Sequence, residues 1–182
     1  MIRAIGVVEF SSIARGIFVA DQMVKTSDVE IITAATTCPG KYIVIIHGDV
    51  AAVENSIELG EMMAEEYYID SILIPNVDQG VFPAITGATM PDNIEAIGIM
   101  ESFSLATMII CADQILKQAD IQPIELRLGN GLGGKSYFTY TGEVSAVEEG
   151  AKAGIKIASE KGLLVNSEVI ASPSSILISS LL

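Results

Sequence analysis

The chain repeats itself. The segment AIGVVEFSSIARGIFVADQMVKTSDV, starting at Ala4, aligns without a gap to AIGIMESFSLATMIICADQILKQADI, starting at Ala96. Ala4, Ile5 and Gly6 meet Ala96, Ile97 and Gly98; Glu9 meets Glu101; Ala20, Asp21 and Gln22 meet Ala112, Asp113 and Gln114; Lys25 meets Lys117. A second block pairs GDVAAVENSIELG from Gly48 with GEVSAVEEGAKAG from Gly142, and a weaker third pairs LIPNVDQGVFPAI from Leu73 with VIASPSSILISSL from Val169. Self-similarity along a whole chain means one structural unit used twice. Each copy has about 90 residues, enough for a domain that folds alone. The boundary falls in TGATMPDN, Thr86 to Asn93, which has turn formers and no periodicity. It divides the chain into 1–91 and 92–182.

The order of elements is the same in both copies. A strand of small and branched apolar residues, IRAIGVVEF, leads to Ser11 and Ser12, which can cap a helix. Ile13, Ile17, Ala20 and Val24 have helical spacing, repeated by Leu105, Ile109, Ala112 and Leu116. Two strands joined by a glycine-containing loop follow (VEIITAA and KYIVIIHG), reading as a hairpin. Asp49 can cap a second helix with Val50, Val53, Ile57 and Gly60 inward, a face matched by Val144, Val147, Ala151 and Gly154. A last strand, SILIPNV or LLVNSEVI, completes β-α-β-β-α-β. The predicted class is α+β, with two tandem ferredoxin-like domains, each an antiparallel sheet with helices on one face. Short helical tails, Val81 to Ile85 and Ser174 to Leu182, close the copies.

Composition narrows the function. Half of the residues are hydrophobic and 18% are charged, and mean hydropathy is +0.50. No apolar run approaches the ~20 residues of a membrane helix, so the excess points to buried strands and subunit interfaces. Net charge is −13 with ten Lys and Arg, which argues against nucleic acid and anionic membrane. Glu9 interrupts the first apolar run, so MIRAIGVVEF is not read as a signal peptide. Two cysteines cannot make a disulfide scaffold, and a reducing cytoplasm is the natural setting.

No catalytic set emerges. His47 is the single histidine, and Thr141 stands at its repeat position. Gly129 to Ser136, GNGLGGKS, has the spacing of a phosphate loop. That motif works only when a helix follows it, and SYFTYTG reads as a strand. Cys111 lies at a helical position beside an apolar face and reads as a small buried hydrophobe. Cys38 lies in a turn, TTCPGKY, whose counterpart GLGGKSY has no cysteine. Fusing two copies of one domain allows their loops to differ, which identical separate copies could not.

The motifs AIGVVEFSS, ADQMVK, PGKYIVIIHGDVAAVENSI and DSILIPN, with AIGIMES, ADQILK and GGKSYFTYTGEVSAVEEG, resemble the bacterial microcompartment (BMC) shell domain. The resemblance covers nearly all of both halves. Two such domains imply the tandem class, in which three chains form a pseudo-hexameric tile that packs edge to edge with other shell proteins around a metabolic pathway. The cysteine in the first loop is most similar to the propanediol-utilisation type. That resemblance implies a homotrimer with one [4Fe–4S] cluster, ligated by Cys38 of each chain at the three-fold axis, for electron transfer across the shell or to enclosed redox enzymes. Protein clusters usually take four thiolates, so three chains must meet to supply three. It also implies that Thr37, Pro39, Gly40, Lys41, Gly131, Leu132, Gly133 and Gly134 line the pore. Lys25 and Lys117 would stand at the tile edge, although each can equally pair with the Asp four residues before it. A metal-free tile with a metabolite pore, and a ferredoxin-like sensing dimer or enzyme, stay open as alternatives.

Overall fold

The computed structural model describes residues 3–91 and 93–181; Asp92, at the expected boundary, and Leu182, at the end of the second expected tail, lie outside them. The first sheet is built from β1 (Ala4–Phe10), β2 (Val29–Thr37), β3 (Lys41–Gly48) and β4 (Tyr68–Pro75), with α1 (Ile13–Thr26) and α2 (Val50–Ala64) as its helices. After α3 (Val81–Thr86) the plan repeats. β5 (Ala96–Ser102), β6 (Gln122–Leu128), β7 (Ser136–Gly142) and β8 (Leu164–Ile170) carry α4 (Leu105–Gln118) and α5 (Val144–Glu160), and α6 (Ser175–Leu181) closes the chain. The strand orders are β2-β3-β1-β4 and β6-β7-β5-β8, every pair antiparallel. This is the β-α-β-β-α-β, ferredoxin-like order read from the sequence. Even the irregularities repeat: the register shifts between Ile31 and Thr33 in β2 and between Pro123 and Glu125 in β6.

In the first domain, strand alternation sends Ala4, Val8 and Phe10 of β1 and Tyr42, Val44 and Ile46 of β3 into one core with Val19, Ala20 and Met23 of α1 and Val53, Ile57 and Ala64 of α2. Two glycines make room for aromatic rings. A Cβ at Gly16 of α1 would lie 2.6 Å from the Tyr42 ring of β3, so this glycine sets how closely helix and sheet approach. Gly98, paired with Tyr140 across β5 and β7, lets the Tyr140 ring lie over its backbone, 2.2 Å from where a Cβ would stand. The Tyr140 ring is itself stacked on Phe138, with centroids 5.2 Å apart. No helix among the described residues is long and apolar enough to cross a membrane.

Four local expectations are corrected. In α1 the buried stripe is Gly16, Val19, Ala20 and Met23, while Ile13 and Ile17 are exposed. Gly16 lets the helix reach Tyr42, which sets its stripe against the sheet and turns Ile13 and Ile17 outward. Their repeat partners Leu105 and Ile109 are buried. In α5, Val144 is exposed at the first turn. Ser12 caps α1, accepting from the Arg15 N–H at 3.3 Å, but Asp49 makes no side-chain cap bond at α2. The fourth correction concerns α3. The chain divides into compact units Met1–Val77 and Asp78–Leu182, so α3, which in the repeat belongs with the first copy, packs within the second unit.

Replacing Gly98 with Ala should destabilise the protein by about 1–3 kcal/mol through overpacking against Tyr140. Gly87→Ala, where an added Cβ meets nothing, should stay within about 0.5 kcal/mol. Urea denaturation followed by circular dichroism measures both; equal effects would remove the close-approach argument.

Candidate functional site

The two hairpin loops differ in length and in chemistry. In the first, Thr37 pairs with Lys41 across the turn Cys38-Pro39-Gly40. Gly40 has φ +75°, a left-handed conformation that closes so short a turn. Thr37 is buried, Cys38 is half-buried, and Pro39 and Gly40 are exposed. In the second, Leu128 pairs with Ser136 across a longer loop. Gly129, Gly131, Gly133 and Gly134 all have φ between +61° and +89°. A Cβ at Gly131 or Gly133 would touch nothing, so backbone conformation, not crowding, calls for glycine there. Leu132 is the loop's one apolar side chain and is half-buried. Between the matched positions Thr37 and Gly129 before the loops, and Gly40 and Gly134 after them, the second loop carries two more residues.

Each loop is tied to the strand at the middle of its sheet. Lys41 Nζ lies 3.2 Å from Glu9 Oε2, and Lys135 Nζ lies 2.8 Å from Glu101 Oε2. The settings differ: the Glu9 side chain is 4% exposed and that of Glu101 35%. Burial pushes the Glu9 carboxyl above the usual carboxylate range, with Lys41 opposing. Both lysines therefore anchor loops. The sequence signal for this pair was a lone charge recurring inside an apolar strand, Glu9 matched by Glu101.

Cys38 stands at the loop tip as one thiol. Among the described residues no three His, Cys, Asp or Glu side chains gather as a metal site. Cys111 is buried in α4, where its Sγ donates to the Gly154 carbonyl at 3.6 Å, and burial pushes its thiol pKa up to about 12. Lys25 and Lys117 each bond the Asp four residues earlier, at 2.5 Å to Asp21 and 2.7 Å to Asp113. His47 Nε2 lies 3.8 Å from Glu30 Oε2. Ser136 opens β7, so GNGLGGKS runs into a strand and offers no helix N-terminus to a phosphate.

Lys41→Met should cost about 3 kcal/mol or more at neutral pH, because it strands a buried carboxylate. Lys135→Met, at a more exposed pair, should cost less than about 1 kcal/mol. A carboxyl whose folded pKa is raised gives its full stabilisation below the unfolded value and loses it as pH rises through the folded one. The Lys41→Met deficit in urea midpoint should therefore widen as pH rises across that interval; a pH-independent deficit would contradict the burial of Glu9. Iodoacetamide at mildly alkaline pH should alkylate Cys38 in the folded protein and reach Cys111 only in denaturant, as peptide mass spectrometry would show.

Known proteins share the repeated domain. The BMC domain family matches residues 4–77 and again 96–173. The bacterial microcompartment shell protein PduT of Citrobacter freundii is 38% identical over 173 residues, covering 95% of this chain and 94% of that protein. The carboxysome assembly protein CcmO of Synechococcus elongatus is 29% identical over 174 residues, 88% of this chain and 59% of its own length. A microcompartments protein from Desulfitobacterium hafniense DCB, known from its crystal structure, is 46% identical, covers 98% of this chain and 99% of its own, and superposes with a TM-score of 0.94. A fused permuted hexameric shell protein from the RMM microcompartment shares the fold at 16% identity and a TM-score of 0.62. With two matched domains and a PduT-like relative along its length, this chain belongs to the BMC-domain family of microcompartment shell proteins, in its tandem form.

Proposed function

We propose that three copies of this chain close into a pseudo-hexameric shell tile, and that Cys38 from each copy meets at its centre to hold one [4Fe–4S] cluster. The observation that carries the reading is the inequality of the two hairpin loops. One bears a part-exposed thiol on a three-residue turn and the other bears none. A ring of three chains is the arrangement that turns one thiol per chain into three at one point. The donor set fits a cluster only when shared: each chain alone supplies a single thiolate, and the fourth iron takes its ligand from solvent, a small thiol or a partner. When bound, such a cluster supplies one-electron transfer between the two faces of the wall or to enclosed redox enzymes. The chain's own contribution is positional. The Glu9–Lys41 pair holds the base of the loop, and Gly40 lets its tip turn.

Matched surfaces support the ring. Ile13 is 38% and Ile17 53% exposed, while Leu105 and Ile109, at the same positions of the second copy, are 1% and 0% exposed. Neighbouring chains in a ring would cover the first pair. The glycine-rich loop presents backbone amides at open positions, which suits the passage of small polar metabolites beside the thiols. Other shell tiles would pack at its edges, with Lys25 and Lys117 the residues proposed there.

Anaerobic purification with iron and sulfide analysis, visible absorption and light-scattering mass tests the proposal. The expected result is a three-chain mass with about four irons per trimer, and Cys38→Ser protein of the same mass without iron. A three-chain mass with equal, negligible iron in both proteins would leave a metal-free pore tile. A soluble two-chain species would overturn the tile and favour a sensing dimer.

A further inference from the structure

The longer hairpin loop carries a reactive pair. The Leu132 N–H donates to the Gly129 carbonyl at 3.4 Å, so Asn130 and Gly131 are the two central residues of a turn. Gly131 has φ +74°, the left-handed position of a type II turn that glycine fills without strain. Both residues are exposed. A Cβ on Gly131 would meet nothing within 4 Å, so no side chain crowds the turn. Among the described residues none is hydrogen-bonded to the Asn130 side chain. Asparagine is a thermolabile residue. Its amide carbon is open to attack by the next backbone nitrogen when the side chain can turn freely and the next residue has no side chain of its own.

The other four asparagines lack this combination. Asn55 lies inside α2 and Asn166 inside β8, where Asn166 also donates to Glu168 at 3.1 Å. Regular structure locks the backbone there and keeps the nitrogen from reaching the side chain. Asn93 donates to Glu95 at 3.0 Å and is followed by Ile94. Asn76 is followed by Val77, which is buried. A branched side chain crowds the nitrogen that must attack. The first loop, Cys38-Pro39-Gly40, has no asparagine, so the pair belongs to the second copy alone.

We propose that Asn130 is a site of spontaneous, backbone-assisted deamidation, which places one new negative charge per chain on the glycine loop. The Gly131 nitrogen gives up its proton and bonds to the Asn130 side-chain carbon. The bond from that carbon to the amide nitrogen breaks, and ammonia leaves carrying a proton. Water then adds to the five-membered imide and opens it at one carbonyl or the other, giving aspartate or isoaspartate. The isoaspartate product lengthens the backbone at the turn by one carbon. The modification itself needs only an exposed loop. Its consequence rests on the three-chain reading above: three such charges would surround the point that the Cys38 thiols share, and the passage would grow more acidic with age.

The full chain is incubated at mildly alkaline pH, folded or in urea, and isoaspartate is measured by enzymatic methylation and peptide mass spectrometry. The loop peptide of the folded protein should convert within about threefold of the denatured rate, because an exposed turn costs almost nothing to open. Peptides holding Asn55 and Asn166 should slow at least about tenfold on folding. Asn130→Gln, which carries its amide carbon one bond further from the nitrogen, should leave the loop peptide without isoaspartate. A loop protected as strongly as the helix and the strand would overturn the proposal, as would folded protein that converts equally at every asparagine. The charge consequence is read separately in Asn130→Asp protein of three-chain mass. There, alkylation of Cys38 by anionic iodoacetate should slow at least about twofold relative to neutral iodoacetamide. An unchanged ratio would overturn the link to the Cys38 centre and leave the modification standing; a smaller mass would overturn the ring and, with it, that link alone.

Discussion

One carboxylate in an apolar strand governs how this fold presents its loops. Glu9 sits in β1, between β3 and β4 at the middle of the sheet, and is almost wholly buried. A charge there is costly unless paired, and the partner within reach is Lys41, the first residue of β3 after the turn. Satisfying Glu9 therefore fixes the base of the Cys38 turn against the rigid centre of the domain. Glu101 and Lys135 repeat the device with more exposure. The loops are thus short projections from a stiff base, which is what a site assembled from several chains needs, because each chain must deliver its side chain to the same point.

Duplication supplies the remaining ingredient. A single-domain ring repeats every loop six times, while a fused pair can specialise alternate positions. This chain has used that freedom at two places. It kept a compact thiol-bearing turn in one copy and inserted a longer glycine loop in the other. It also left its tail helices unequal: α3 is seated within the second unit, whereas α6 ends the chain in the open.

The fold was legible because the repeat printed every element twice, so a weak pattern in one copy was checked by the other. The order of elements followed from a short hairpin between two strands and a helix on each side of it. What could not be read was which stripe of α1 faces inward. Ile13 and Ile17 have the spacing of a core face, but Gly16, Val19, Ala20 and Met23 form a neighbouring stripe with the same period, and the close approach of Gly16 to Tyr42 decides between them. Periodicity carries no information about such an approach. The seat of α3 was hidden for a related reason, since sequence adjacency assigned it to the copy that precedes it. At the candidate site, Cys38 and the glycines were found by comparing the loops. The Glu9–Lys41 tie was not, because its partners lie 32 positions apart and meet only through the pairing of β1 with β3.

The proposed cluster requires three thiols to meet at one point. A nitroxide attached to Cys38 of metal-free protein, in a sample whose mass is three chains, reports this directly by electron paramagnetic resonance. Convergence predicts a spectrum collapsed by strong spin–spin broadening, which sharpens when labelled chains are diluted with unlabelled ones before assembly. Narrow lines from mutually distant labels in the fully labelled trimer would contradict it.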